Sequence, residues 1–173
     1  MAAAAAIADK FNGNAKVVEL TGIMGVSIAQ ERYSGFHEGL ERYSGLKLVA
    51  SQTAIFNRSE AQKVMENIIQ STGGDFNAVY AHNDQMALGA LQAIKAANLS
   101  NIAIVGIDGQ AEAFEAVRRG EMYATITHNP FYGEMLYECI YKHMNGIEVP
   151  IRIIRQEFVI TSENADEMSH YEL

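Results

Sequence analysis

Five short apolar runs, each followed by a stretch with helical spacing, constrain this 173-residue chain more than any other feature. They are Val17 to Leu20, Leu46 to Ala50, Ala78 to Ala81, Ile102 to Ile107 and Tyr123 to Ile126. In Ile102-Ala103-Ile104-Val105 every position is apolar, rather than every second one. A strand with one wet face alternates, so a continuous run predicts a parallel strand covered by helices on both faces. The order helix, then strand and helix in turn, predicts an α/β fold: a doubly wound parallel sheet in three α/β/α layers.

The stretches between the runs carry helix signals. Ser27 with Gln30, and Ser59 with Gln62, have capping-box spacing and predict two helix starts. Ala61, Val64, Met65, Ile68 and Ile69 keep one helical face, as do Met86, Ala90, Leu91 and Ile94. Gly120 is expected to stop the helix containing Phe114 and Val117, with Arg118 and Arg119 as structural cations at its end. Past Pro130 the sequence predicts a helix over Phe131 to Met144, a stop at Asn145-Gly146, and a last strand over Ile153 to Ile160. The acidic tail, Thr161 to Leu173, reads as loosely ordered or as a short terminal helix. The alanine-rich opening, followed at once by Asp9 and Lys10, lacks the basic flank and longer apolar stretch of a signal peptide and reads as a helix.

Charge and composition exclude several roles. A net charge of -8 without a basic stripe argues against a nucleic-acid partner. No apolar run approaches the roughly 20 residues of a membrane-spanning helix. The single cysteine, Cys139, allows no internal disulfide and no multi-cysteine metal site, and reads as a small buried apolar side chain. The glycine-spaced loop Gly22 to Ser27 lacks the third glycine and acidic partner of a dinucleotide site, so it reads as a tight turn and no cofactor is expected.

Doubly wound sheets bind ligands beyond the carboxyl ends of their strands. There the sequence offers Arg32 on the first turns of a helix, Phe56 after the second strand, Asn83 and Asp84 after the third, Asp108 after the fourth and His128 after the fifth. Sugar hydroxyls both donate and accept, which suits a multi-donor arginine, an accepting aspartate and an amide that does both. An aromatic such as Phe56 covers the C–H face of a sugar ring. Each residue also has a plainer reading. Asp84 and Asn83 could be helix caps, Asp108-Gly109 a turn, Phe56 a core residue and Arg32 a solvated helix charge. Their joint position at several strand ends favours the binding role. His82, Asp84, Asp108 and His128 could alternatively relay protons or hold a metal, but HExxH, GxSxG and P-loop patterns are all missing from the sequence, which favours a non-catalytic role.

The segments Lys16 to Phe36 (KVVELTGIMGVSIAQERYSGF), Ala50 to Arg58 (ASQTAIFNR), Val79 to Lys95 (VYAHNDQMALGALQAIK), Val105 to Gly109 (VGIDG) and Glu115 to Pro130 (EAVRRGEMYATITHNP) resemble the periplasmic sugar-binding proteins of ABC transporters, in their ribose-binding and galactofuranose-binding branches. The resemblance implies that residues 1–130 are the C-terminal lobe of a two-lobed binder of a monosaccharide. It implies Arg32, Phe56, Asn83, Asp108 and His128 as ligand contacts, with His128 standing where ribose binders usually carry glutamine. Residues 131–147 are then a helix that packs on a first lobe missing here, after a hinge near Asn129-Pro130. Residues 148–161 become a returning strand and 162–173 an acidic tail. It further implies a permease partner and a periplasmic or extracytoplasmic location. With no first lobe to cover Phe131, Met135, Leu136, Cys139 and Ile140, either this helix folds back over the sheet or a second copy covers it, and the expected tendency is towards a homodimer. The effector core of a LacI-type regulator and a sensory or chemotaxis sugar receptor share the fold and stand as alternatives.

Overall fold

A computed structural model of the chain describes residues 1–128 and 130–173. Helix α1 (Ala2–Lys10) leads into β1 (Ala15–Thr21), α2 (Ser27–Arg42), β2 (Leu46–Thr53), α3 (Arg58–Thr72), β3 (Ala78–Ala81), α4 (Asp84–Ala96), β4 (Ala103–Asp108), α5 (Ala111–Arg118) and β5 (Ala124–Thr127). The sheet order is β2-β1-β3-β4-β5, all parallel, with a sixth strand at the edge. The chain steps outward from β1 to β2 and then returns to the other side of β1 for β3. The ends of β1 and β3 therefore form the topological switch point, where a crevice opens.

Each face of the sheet has its own core. Ala4, Ile7 and Ala8 of α1 and Phe36 of α2 pack with Val17, Tyr80 and Val105 on one face. Met65 and Ile68 of α3, Met86 and Ile94 of α4 and Phe114 of α5 pack with Val18, Val79 and Ile104 on the other. Neighbouring residues of one strand thus serve opposite cores, which is why the strands are apolar throughout. Small residues let helices approach closely. A Cβ on Gly39 would lie 2.4 Å from that of Ala4. One on Gly89 would lie 2.2 Å from the carbonyl oxygen of Arg58, where α4 meets the start of α3.

Both capping boxes differ from expectation. Val26 occupies the N-cap of α2, and the Gln30 amide instead donates to the Met24 carbonyl at 3.1 Å, bracing the loop. Asn57 caps α3 by accepting from the Glu60 amide at 3.0 Å, two residues before Ser59. Gly120, at φ +69°, follows α5 as expected.

The region after Pro130 departs furthest. Helix α6 (Gly133–Met144) starts two residues later than expected and ends at Asn145-Gly146; it buries none of its residues, and Cys139 is half-exposed rather than buried. The hinge reading falls partly on Asn129, outside the described residues. The last strand, β6 (Val159–Thr161), is three residues long and antiparallel to β5, in place of Ile153 to Ile160. β5 ends at Thr127, so among the described residues no strand lies beside Ile153 and Ile154, and both are exposed. The tail is tied down rather than loose. Ala165 is buried, and Met168 and Tyr171 pack on the core around a 3-10 turn, Ser169–Tyr171. Leu173 donates to the Gly109 carbonyl at 2.9 Å and accepts from the Ala111 amide at 2.8 Å, while Arg118 pairs with Asp166 and Glu172. Among the described residues no helix is long and apolar enough to cross a membrane.

Gly89→Ala is expected to destabilise the chain by about 1–3 kcal/mol, since its methyl meets backbone rather than a movable side chain. Chemical denaturation of the two forms measures this, with an unchanged slope against denaturant showing that the loss is one of packing.

Candidate functional site

The parallel strands deliver their polar residues to one end of the sheet. Arg32, on the second turn of α2, is the centre of the group. Its Nη2 donates to Asp108 Oδ1 at 2.8 Å, and its Nη1 donates to the carbonyl of His82, the residue between β3 and Asn83. Arg32 and Asp108 are 10% and 21% exposed at the side chain, so the pair is held largely away from water but still reachable. Burial raises the Asp108 carboxyl above the usual aspartate range, and the Arg32 guanidinium pulls it part of the way back. Asp108 itself sits at φ +131°, a conformation that costs a non-glycine residue of order 1–3 kcal/mol. Asp108 is the last residue of β4 rather than part of a turn, and it carries a partly exposed carboxylate at the strand end.

Asn83 is the N-cap of α4: its Oδ1 accepts from the Met86 amide at 3.0 Å. The cap uses the oxygen and leaves the Nδ2 hydrogens, so capping and ligand contact are compatible. Asp84 is not the cap; it is the first residue of the helix and faces inward. His128 donates its backbone N–H to the Asp108 carbonyl at 3.2 Å, and its ring Nδ1 lies 3.5 Å from Glu157 Oε1. Arg32, His128 and Glu157 line one cleft of about 280 Å³. Phe56 stands across the switch point, at φ +60°, with its ring laid against Gly22 so closely that a Cβ there would fall 2.0 Å from Cζ. Arg32, Asp108, His128 and the peptide before Asn83 are therefore linked directly, whereas Phe56 reaches the group through Gly22.

Two buried carboxylates support these residues: Asp84, which the sequence offered as a helix cap or crevice group, and Glu19, which was not singled out from the sequence. Asp84 Oδ2 accepts from the Gln110 amide at 2.9 Å, and the Thr125 hydroxyl lies 2.8 and 2.9 Å from its two oxygens. A Cβ on Gly106 would come within 2.2 Å of Asp84 Oδ1, so the glycine of Val105-Gly106 makes room for the carboxylate. Burial pushes Asp84 up to about 7, against the backbone and Thr125 hydrogen bonds, with the Asp108 charge adding to the rise. Glu19, in the middle of β1, meets His82, Ser51 and His37. Burial alone would raise it, but these three hydrogen bonds outweigh the burial and hold it below the usual glutamate range. The signal was a charged residue inside an apolar strand run, which demands a buried partner. Among the described residues no three His, Cys, Asp or Glu side chains gather so as to hold a metal ion. His82 and Asp84 instead direct their polar atoms into the protein.

A doubly wound lobe with such a polar cluster at its switch point has the form of a solute-binding lobe, in which ligand is held against strand ends. The chain belongs to the periplasmic binding protein domain family, whose profile matches residues 1–148. It is 46% identical over 124 residues to a ribose import binding protein of Haemophilus influenzae, covering 72% of this chain and 41% of that protein. It is 34% identical over 142 residues to a galactofuranose-binding protein of Escherichia coli, covering 79% and 45%. Among solved structures, the periplasmic binding component of an arabinose ABC transporter from Shewanella, bound to L-arabinofuranose, superposes with a TM-score of 0.86 at 35% identity, over 97% of this chain and 57% of that one. The chain thus spans less than half the length of these two curated relatives.

The Asp84 shift has a defined sign. Its folded pKa lies above its unfolded value, so folding takes up a proton between about pH 4 and 7. Its contribution is favourable at low pH and is lost as pH rises through about 7. Asp84→Asn removes this loss, and its stability relative to the parent should climb from pH 4 to pH 8 by on the order of 2–4 kcal/mol. Denaturation midpoints of both forms across that range measure it; parallel curves would contradict the assignment.

Proposed function

We propose that this chain forms one wall of a monosaccharide-binding crevice, as the C-terminal lobe of the substrate-binding component of an ABC sugar importer working outside the cytoplasm. The observation that carries this is the Arg32–Asp108 pair, held at 2.8 Å at the strand ends with the His82 carbonyl, Asn83 and His128 around it. A guanidinium and a carboxylate fixed side by side offer donors and an acceptor to adjacent ring hydroxyls without chemically changing the sugar. In this reading the Asn83 amide and His128 ring add one hydrogen bond each and Phe56 covers a C–H face. Glu157 beside His128 adds an acceptor absent from the sequence-derived set. The names of the ribose, galactofuranose and arabinose binders support the ligand class; this chain's own sugar is to be found by a panel.

One lobe leaves half of a sugar in water, and such sites depend on burying most of the ligand. The chain alone should therefore bind D-ribose and other pentoses or hexoses weakly, in the millimolar range or worse. Placed behind the first lobe of a ribose import binding protein, it should bind one of them at least a hundredfold more tightly by calorimetry. In that two-lobed form Asp108→Ala should lower affinity roughly ten- to a hundredfold, as loss of a charged hydrogen-bonding group predicts. Tight binding of an amino acid or nucleotide, with no heat from any neutral sugar, would refute the reading.

The α6 face supports a second part of the proposal. Leu136, Tyr137, Ile140, Tyr141 and Met144 are all more than half exposed. In the two-lobed form α6 packs on the first lobe; in the chain by itself it pairs with a second copy. Sedimentation at micromolar concentration should show dimers that Leu136→Glu dissociates, and a strictly monomeric profile would remove the homodimer.

A further inference from the structure

His82 is fully buried at the switch point, one residue past β3, and every polar atom it has is committed inside the protein. Its backbone N–H donates to the Leu20 carbonyl of β1 at 3.0 Å, and its own carbonyl receives Arg32 Nη1. Its ring Nδ1 lies 3.3 Å from the Gly22 amide, and its Nε2 lies 3.3 Å from Glu19 Oε1. A backbone N–H can only donate, so Nδ1 carries the lone pair and Nε2 carries the proton, which it donates to Glu19. Glu19 is itself anchored by Ser51 of β2 at 2.6 Å and His37 of α2 at 3.1 Å.

Nothing on this imidazole remains to meet a ligand. What it does meet are the supports of three site residues. Arg32 hangs from its carbonyl. Phe56 rests on Gly22, whose amide donates to the His82 ring. Asn83 is the next residue in the chain and caps α4. We propose that His82 is a positioning residue of the crevice: clamped as the Nε2–H tautomer between Glu19 and the Gly22 amide, it fixes the ends of β1 and β3 relative to each other and thereby places Arg32, Phe56 and Asn83. The proposal rests on the sugar-binding reading for its consequence, but not for its geometry.

A glutamine keeps an acceptor oxygen and a donor N–H, the donor at the reach of the imidazole Nε2 and the acceptor one bond beyond Nδ1. A leucine fills comparable space and leaves both the Gly22 N–H and Glu19 Oε1 without a partner, so the two substitutions separate positioning from packing. NMR on the isotopically labelled chain tests this in two arms. Without ligand, the His82 ring should show the neutral Nε2–H tautomer at pH 7. His82→Gln should keep the Gly22 amide, Arg32 guanidinium and Phe56 ring signals close to the parent's. His82→Leu should displace all three while amides of β4 and β5 stay in place. With D-ribose titrated to high millimolar concentration, shifts at Asn83 and Asp108 should persist in His82→Gln with affinity within about threefold, and weaken at least tenfold in His82→Leu.

A protonated ring or an Nδ1–H tautomer overturns the proposal from the parent protein alone, even if the leucine variant fails to fold. So does a leucine variant that loses thermal stability yet keeps the Arg32 and Phe56 signals, which is the result of a packing role. If the ligand-free arm holds and, in the form placed behind the first lobe of a ribose import binding protein, neither D-ribose nor any other pentose or hexose binds, the positioning stands and the sugar-binding reading falls.

Discussion

A carboxylate in the middle of a covered strand must be met by donors, because burying it unpaired would cost far more than a small domain's whole stability. Glu19 imposes that condition on this protein. It lies in β1, the strand at which the sheet reverses its order, and its partners come from three other places: Ser51 on β2, His37 on α2 and His82 beyond β3. Hydrogen bonds are directional, so the four segments cannot slide past one another as apolar faces can. The crevice is built on top of this lock. Without it the ends of β1 and β3 would be held only by side-chain packing and the ladder below them.

Asp84 plays the matching part on the other side of the switch point. It joins the start of α4 to Thr125 of β5 and to the Gln110 amide of the loop that follows Asp108. Burial pushes both carboxylates up, but their partners leave them on opposite sides of the usual range. Glu19 has three side-chain partners and stays a readily ionised acid, whereas Asp84 is raised to about 7. The tail adds a second hold on the same loop through Leu173, and the ion pairs of Arg118 keep the tail in place. Asp108 is therefore gripped from below, from behind and by Arg32 in front.

The sheet was legible because its code is redundant: runs such as Ile102 to Ile107 are apolar on both faces, and each is followed by a helical face. The residues at the strand ends were legible for the same reason, since Arg32, Asn83, Asp108 and His128 fall where a doubly wound sheet must place its crevice. Their supports were not. Asp84 and Thr125 are 41 residues apart, and Glu19 and His82 are 63 apart, distances at which spacing carries no information. Ile153 to Ile160 misled because β-branched composition says that a segment suits a strand but not that a partner strand reaches it. Ser59 misled because Asn57, an equally good cap, stood two residues earlier.

In the proposed sugar-binding role, the Arg32–Asp108 pair bears on discrimination rather than on attraction. Both side chains are already ordered by each other, by the His82 carbonyl and by a strand end held at φ +131°, so a ligand that meets them has few rotamers left to freeze. The same rigidity makes the surface unforgiving. A deoxy compound that lacks one hydroxyl strips water from the charged pair and returns nothing in its place, and neither side chain can swing away to seek another partner. Such a wall tells ligands apart by what they lack, which a softer, solvent-exposed pair could not do.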